Sequence, residues 1–380
     1  MKDNFSLTIM QLHCILLLIA GIFLSACNGT TPVKDKEIEE KNVELVFPPS
    51  PEEPRFYYKM TLFHSSQLSE QSGESRWREF LTGESTAEKG EGLSKPYDVT
   101  ACEGRVYISD TVRRHIAVFD FREMNYFTIG TEEPGFLRKP LGLDTDANCN
   151  LYVADISLGS VMIYDSEGNF ISAIGDPEWF HRLSHVAVNQ AGDRLYAVDT
   201  GGVQTDEHRI RVFDISSGDH LFDIGTRGKE DGELNLPKDI DIGPDGRVLI
   251  LDSGNFRVQV FDQDGNFIRK FGQVGNRTGQ FSRPKGIASD PDGNIYVADT
   301  SLANFQIFNA EGELLMFVGN RTNKSQPAGY MLPSGIDVDN DGRIYFVDQF
   351  YRKVDVYRPA GMRAEEGDIG RAISRTKPEQ

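Results

Sequence analysis

Acidic side chains and one histidine recur shortly after a repeated proline, where they could hold a cation or move protons. One group lies just after the proline, and a second group lies two positions further along its strand. These residues are Asp98, His185 and Asp239 in the first group and Asp144, Asp241 and Asp337 in the second. Because side chains two positions apart in a strand point to the same side, we expect all six to line one narrow central channel.

Two interpretations of these channel residues remain open. Converging carboxylate oxygens would suit a Ca²⁺ ion. The alternative, which we favour, is that the aspartates and the small residues among them, such as Gly142 and Gly286, satisfy backbone groups and water in a wet channel.

A metal-dependent hydrolase or lyase at the channel mouth, using Ca²⁺ or Zn²⁺, is the enzymatic alternative. A catalytic zinc needs several protein ligands and an open position. Of the seven histidines, His181 and His185 come nearest to forming a pair. The sequence has no Gly-x-Ser-x-Gly, Cys-x-x-Cys or phosphate-binding glycine loop. We therefore expect a binding role rather than catalysis.

Aromatic and basic side chains in the predicted connections are candidates for contact with a partner. Protein interfaces are enriched in Trp, Tyr and Arg. The candidates are Trp179, His181, Arg182, Arg113, Arg114 and Arg352. We expect them on the face that carries the connections between repeats.

The elements that must position these side chains form a repeat. Its clearest copy contains the runs Pro284–Ile287, Asp292–Asp299, Phe305–Phe308 and Leu314–Gly319, which read as four short strands. The aspartate that closes the second strand recurs every 44 to 53 residues, at Asp110, Asp155, Asp199, Asp252, Asp299 and Asp348. A four-stranded sheet cannot bury both of its faces alone, whereas sheets stacked around an axis can. The sequence therefore predicts an all-β, six-bladed β-propeller.

Ring closure is predicted to involve the N-terminal end of the propeller. The sixth copy ends at Tyr357 and Pro359 without an outermost strand. The strand-like run Arg55–Leu62 lies upstream of the first copy, and we expect it to supply that strand, because an open ring would expose unpaired edges. The propeller is thus predicted over residues 55–358, followed by a polar tail over residues 359–380.

The repeat resembles the NHL repeats, and the resemblance covers residues 93–357. The most similar stretch is Asp252-Ser-Gly-Asn255 followed by Arg257-Val-Gln-Val-Phe261, whereas the third copy lacks the leading proline and inserts Gly201–His208. The resemblance implies the propeller fold but no particular activity, since such propellers include lyases, sensors and interaction platforms. The lyases of this type use zinc held by several histidines, a set that this sequence lacks.

The N-terminus resembles that of a bacterial lipoprotein. An apolar run over Cys14–Leu24 is too short for a comfortable transmembrane helix and ends in Leu24-Ser25-Ala26-Cys27, which looks like a lipobox. We expect residues 1–26 to be a signal peptide, Cys27 to carry the lipid, and residues 27–54, rich in Lys, Glu and Pro, to form a flexible tether. Asn28 favours the outer membrane over the inner membrane.

The formal net charge of −18 narrows the choice of partners. It argues against nucleic acid and against electrostatic adhesion to membranes, so the lipid is expected to provide the membrane attachment. We expect a monomeric propeller that binds a protein or peptide of the cell envelope.

Cys102 and Cys149 fall in corresponding hairpin turns of neighbouring copies. An oxidising compartment would allow a disulfide between them, provided that their Cα atoms lie within about 7 Å. The sequence leaves this pairing open.

Overall fold

In the computed structural model, which describes residues 45–68 and 90–375 and the side chains up to Arg371, the regular structure is almost entirely β. Five four-stranded antiparallel sheets and one five-stranded sheet form the six blades. Blade 1 contains β3 (Pro96–Cys102), β4 (Arg105–Asp110), β5 (His115–Asp120) and β6 (Asn125–Ile129). Blade 2 contains β7 (Pro140–Thr145), β8 (Leu151–Asp155), β9 (Ser160–Tyr164) and β10 (Phe170–Ile174). The predicted six-bladed propeller is thereby confirmed.

The next three blades have the same order from the innermost to the outermost strand. Blade 3 contains β11 (Leu183–Val188), β12 (Arg194–Asp199), β13 (Arg209–Asp214) and β14 (His220–Ile224). Blade 4 contains β15 (Asp239–Ile242), β16 (Val248–Asp252), β17 (Arg257–Phe261) and β18 (Phe267–Phe271). Blade 5 contains β19 (Pro284–Ser289), β20 (Ile295–Asp299), β21 (Asn304–Phe308) and β22 (Leu314–Val318).

Blade 6 combines both ends of the described chain. It contains β25 (Pro333–Val338), β26 (Ile344–Asp348) and β27 (Lys353–Pro359), followed by β2 (Phe56–Leu62) and β1 (Val46–Phe47). A short parallel pair, β23 (Asn320–Arg321) and β24 (Gly329–Tyr330), lies in the connection from blade 5.

The burial of each strand follows its place in the blade. All five residues of β16 are buried, because neighbouring blades cover both faces of the middle strands. The outermost strand β18 alternates between half-buried and exposed residues, since only one of its faces meets a neighbour. This difference explains why the middle strands read as continuous apolar runs in the sequence.

The N-terminal strand closes the ring, as predicted. Strand β2 pairs antiparallel with β27, from Phe56 opposite Pro359 to Leu62 opposite Val354. The sequence placed the whole of residues 27–54 in a flexible tether, and this is wrong at its C-terminal end: Val46 and Phe47 add a further strand to β2. The Phe47 ring packs edge-on against Tyr357, with centroids 5.6 Å apart, and this aromatic contact anchors the strand.

The tail predicted over residues 359–380 also needs correction. It contains the helix α1 (Gly367–Arg375). Ile369 is fully buried in the cluster that includes Leu68 and Phe121, and the backbone N–H of Asp368 donates to the Asp341 carboxylate at 2.8 Å. The polar composition of the tail concealed this apolar anchor.

None of the helices described is both long and apolar enough to cross a membrane. The predicted signal peptide and the lipidation site Cys27 lie outside the described residues.

Candidate binding site at the central channel

The disc has two ends, which position different side chains. The loop face carries the connections between blades, such as residues 130–139, and the turns between second and third strands, such as residues 111–114. The hairpin face carries the turns between first and second strands, such as residues 103–104. Because every innermost strand runs from the loop face to the hairpin face, equivalent residues form layers around the channel.

The repeated aspartate at the end of each second strand fixes the backbone of the loop face. The Asp110 carboxylate accepts hydrogen bonds from the backbone N–H groups of Lys95 and Arg113, at 3.1 and 3.0 Å. A corresponding bond to the residue before the innermost strand is made by Asp155, Asp199, Asp299 and Asp348. These carboxylates are fully buried. The aspartate that marks the repeat in the sequence is therefore a structural clamp.

Irregular pairing at the start of the innermost strands turns additional side chains into the channel. The register shifts between Pro96 and Val99 in blade 1, and between Pro284 and Gly286 in blade 5. A β-bulge of this kind places an extra residue on one strand and redirects its side chains. As a result, Tyr97 as well as Asp98 meets side chains that come from across the channel.

The His185 layer, formed by Asp98, His185 and Asp239, spans the channel. His185 Nε2 lies 2.6 Å from Asp98 Oδ2, and His185 Nδ1 lies 2.8 Å from Asp239 Oδ1. Burial alone would lower the pKa of His185, but the charges of Asp239 and Asp98 outweigh burial and raise that pKa well above its usual value. Both ring nitrogens therefore carry a proton and donate to a carboxylate.

Gly142 provides the space for this layer. A Cβ atom at this position would lie only 2.5 Å from the Cα atom of His185. Blade 2 can therefore carry no side chain where blade 3 carries its imidazole, and this glycine and the histidine are complementary in volume.

The acidic layer, formed by Asp144, Asp241 and Asp337, lies nearer the hairpin face. It lines a cavity of about 390 Å³ together with hairpin residues such as Glu103. Burial, and then the charge of Asp241, raises the pKa of Asp144 to about 7. Burial also raises the pKa of Asp241 to about 6, and burial with the charge of Asp144 raises the pKa of Asp337 well above its usual value. These carboxyl groups therefore hold their protons to a higher pH than ordinary aspartates do.

Four of the channel aspartates join neighbouring blades. Each accepts a hydrogen bond from a backbone N–H of the next blade, at 2.7 to 2.8 Å. The pairs are Asp98 with Leu143, Asp144 with Val188, Asp239 with Ile287, and Asp337 with Ala101. The last pair links blade 6 to blade 1, so the hydrogen bonding continues across the point of closure.

The residues present do not fit the Ca²⁺ ion that the sequence suggested for the channel. Within residues 45–68 and 90–375, no three His, Cys, Asp or Glu side chains are placed to hold a metal ion. The carboxylate oxygens are directed at neighbouring donors instead, and Asp241, for example, accepts a hydrogen bond from the Ser289 hydroxyl.

A ring of basic side chains surrounds the channel on the loop face, and sequence analysis identified only one member of it. We call this ring the basic collar. It consists of Lys95, Lys139, Arg182, Lys238, Arg283 and Lys285. Four members occupy the position just before the blade proline, or before Leu183 in blade 3, and are exposed, whereas Lys238 and Lys285 follow a blade proline and are half-buried. The signal available in the sequence was the recurrence of Lys or Arg next to the blade prolines.

The partner-surface candidates are exposed on the loop face, in two groups. Arg113, Arg114 and Arg352 lie in turns after the second strands of the adjacent blades 1 and 6. Trp179, His181 and Arg182 lie in the connection from blade 2 to blade 3. Two of the six are partly engaged within the chain: Arg113 pairs with Glu91, and the Trp179 ring stacks on Phe213 with centroids 5.5 Å apart, which leaves 37% of the residue exposed.

The two candidate cysteines of the propeller form a disulfide. Cys102 and Cys149 are joined with their Cα atoms 5.7 Å apart. The bond connects the hairpin turns of blades 1 and 2, next to the acidic layer.

Comparison with known proteins agrees with this architecture. The model of the NHL repeat matches residues 234–261 and 281–308, which fall in blades 4 and 5 and the connections that precede them. Two blades of this propeller are NHL repeats. NHL propellers are in general protein-interaction modules.

Relatives and solved structures extend this similarity. Protein lin-41 from Caenorhabditis elegans is 44% identical over 66 residues, which cover 17% of this chain and 6% of that protein. NHL repeat-containing protein 3 from Homo sapiens is 26% identical over 187 residues, 44% of this chain and 51% of that protein. The chain thus spans about half the length of NHL repeat-containing protein 3 and a much smaller part of protein lin-41.

A streptogramin B lyase structure has a TM-score of 0.52 and covers 70% of this chain and 94% of its own. At 13% identity, that likeness shows the shared fold alone.

Proposed function

We propose that this chain is a lipoprotein of the bacterial cell envelope, anchored by a lipid on Cys27, whose NHL propeller binds a protein or peptide partner through its loop face. The observation that carries the proposal is the concentration of exposed arginine and aromatic side chains on this face, although the whole chain has a net charge of −18. Interfaces favour these residue types.

The rigidity of the loop face supports a binding role. Buried carboxylates such as Asp199 hold the backbone at the base of the loops, where the Arg182 N–H donates to Asp199 at 2.8 Å. A surface that is already ordered loses little conformational entropy when it binds. The loop face can therefore present Trp179 and Arg182 in one arrangement to a partner.

The lipid anchor supports a location at the envelope, with the outer membrane favoured over the inner membrane. The lipobox-like Leu24-Ser25-Ala26-Cys27 precedes a segment rich in charge and proline that would hold the propeller away from the bilayer. We expect metabolic labelling with a radioactive fatty acid to mark the native protein and not the Cys27→Ala variant. An unlabelled native protein would contradict the anchor.

Partner capture tests the binding role separately. A Trp179→Ala/Arg182→Ala variant should still unfold cooperatively and should lose a partner that co-purifies with the native chain. The matched control is Phe136→Ala/Arg138→Ala, which removes an exposed aromatic residue and an exposed arginine from the preceding connection. Equal capture by both variants and the native chain would remove Trp179 and Arg182 from the contact.

A further inference from the structure

The basic collar gathers six cations at one mouth of the channel, and only Arg182 among them also belongs to the proposed partner surface. We propose that it binds a compact dianionic group, such as a phosphate or a pair of carboxylates, over the channel axis between Lys238 and Lys285. This site goes beyond the proposed function and does not depend on it.

The rim of the collar is held in place by the aspartate clamps. The backbone N–H groups of Lys139, Arg182 and Arg283 donate to the buried clamp carboxylates of their blades at 2.7 to 2.9 Å. Lys95 is held in the same way in blade 1. The four positions are equivalent in the repeat, so their side chains start from one level around the channel mouth.

The two half-buried lysines, Lys238 and Lys285, also belong to the basic collar. The Lys285 ammonium, from blade 5, lies 4.4 Å from the centre of the Tyr97 ring of blade 1, so it reaches past blade 6 across the mouth of the channel. Lys238 lies within the electrostatic reach of Arg182 and Arg283, which flank it on the preceding and following connections.

Among the described residues, ion pairs do not neutralise the positive charge of the collar. In the described part of the chain, no ion pair joins any of its six cations to an acidic side chain. Asp98 attracts Lys285 from below, but that carboxylate already accepts hydrogen bonds from His185 and from the Leu143 N–H. The collar therefore concentrates positive charge above a floor whose carboxylates are already engaged.

This arrangement costs stability in the absence of an anion. Burial and the neighbouring guanidinium groups lower the pKa of Lys238 to about 8, and burial with the charge of Arg283 does the same for Lys285. Strained charges of this kind concentrate at functional sites. An anion between the two ammonium groups would relieve the repulsion, and the guanidinium groups at the rim can form paired hydrogen bonds with phosphate or carboxylate.

The His185 layer limits how far the ligand can enter the channel. Because His185 spans the channel beneath the collar, contacting Asp98 and Asp239, the anion cannot pass toward the acidic layer. The site therefore suits an anionic group that enters from the loop face and stops above the imidazole. Several cations around one position favour a double over a single negative charge.

Isothermal titration calorimetry on the full chain in detergent tests the site, with inorganic phosphate, succinate and acetate as probes. We expect phosphate or succinate to bind at least about tenfold more tightly than acetate. At pH 8, binding should take up protons, because the anion raises the pKa of two lysines that are only partly charged there. Binding of phosphate alone would assign the site to phosphoryl groups, and binding of both would extend it to dicarboxylates.

Variants locate the binding. Lys238→Gln/Lys285→Gln should weaken binding at least about tenfold and should melt no lower than the native chain, since it removes repelling charges. The control Lys270→Gln removes an exposed lysine from an outermost strand and should leave affinity within about twofold. The proposal is overturned if no dianion binds, or if the double variant binds as the native chain does.

Discussion

At the scale of single residues, the same side chain type has two separate roles in this propeller. The aspartates at the ends of the second strands clamp the loop face, whereas those of the innermost strands join one blade to the next. The clamp aspartates are fully buried, the channel aspartates are buried or half-buried, and both sets accept backbone hydrogen bonds. Their loss would leave backbone N–H groups without acceptors. Such groups cost more than the hydrogen bond itself contributes.

Asp155 provides a direct test of the clamp. It accepts hydrogen bonds from the N–H groups of Lys139 at 2.7 Å and of Ser157 at 2.9 Å. Asp155→Ala should destabilise the chain by roughly 2–4 kcal/mol, because several buried donors lose their partner. The control is Asp165→Ala in the same blade, whose half-buried carboxylate also caps a turn. Denaturant unfolding should show a loss of less than about 1 kcal/mol for the control, and equal losses would contradict the clamp.

Asp144 gives a prediction for the pH dependence of stability. Its pKa in the folded chain is about 7, above the ordinary value of 3.8 for an aspartate, so the folded state binds this proton more tightly. Stability from this group is therefore lost as the pH rises from about 4 to 7. Asp144→Asn retains an acceptor for Val188, and it should raise stability at pH 8 by roughly 1–3 kcal/mol.

The gain in stability from Asp144→Asn should disappear below about pH 4, where the Asp144 carboxyl group is protonated in both the folded and the unfolded native chain. The pKa of Asp165 is shifted in the opposite direction from that of Asp144, because hydrogen bonds with Asn169 outweigh burial and lower it. Asp165→Asn should therefore give no gain at pH 8. The melting temperatures of the native chain and both variants at pH 8 and below about pH 4 test this prediction. A gain for Asp144→Asn that does not depend on pH would refute the titration argument.

The sequence predicted the channel aspartates and His185, because they recur at one position of a regular repeat. It did not predict that Tyr97, Lys238 and Lys285 gather at the same mouth. Strict alternation places the residue next to Asp98 on the opposite side of the strand, but the bulge after Pro96 removes that alternation. The fold was therefore readable from periodicity, whereas the meeting of Tyr97 with Lys285 depends on local irregularities that periodicity conceals.

At the scale of elements, closure of the ring depends on a strand from the other end of the propeller. Strand β2 covers the edge of β27 from Val354 to Pro359. Strand β1 and helix α1, which fall in the predicted tether and tail, add further contacts. Short elements of two to nine residues with one or two apolar anchors have no periodic signal. This is why the boundaries of the propeller were predicted less well than its blades.

Removing this closure should disrupt the whole domain. A chain lacking residues 55–62 exposes the edge of β27 and the aromatic side chains of blade 6, so cooperative thermal unfolding should be lost. Differential scanning calorimetry measures this directly. A synthetic peptide of residues 45–62 should restore the transition when added to the truncated chain. A truncated chain that melts like the native one would show that the ring closes without β2.

At the scale of the whole molecule, the channel is polarised. The basic collar lies at the loop face, the His185 layer spans the middle, and the acidic layer opens toward the hairpin face. A chain with a net charge of −18 thus directs its concentrated positive charge toward one face. That face also carries the exposed partner-surface residues, which is the basis for assigning binding to it rather than to the hairpin face.

Photo-cross-linking in intact cells tests this central claim most directly. A photoreactive amino acid is placed at Trp179 or Arg352 on the loop face, and at Asn148, an exposed position in a hairpin turn of blade 2. The account predicts that both loop-face positions capture the same envelope protein and that Asn148 does not. Capture of that protein from Asn148, or from none of the three positions, would contradict the assignment of the loop face as the binding surface.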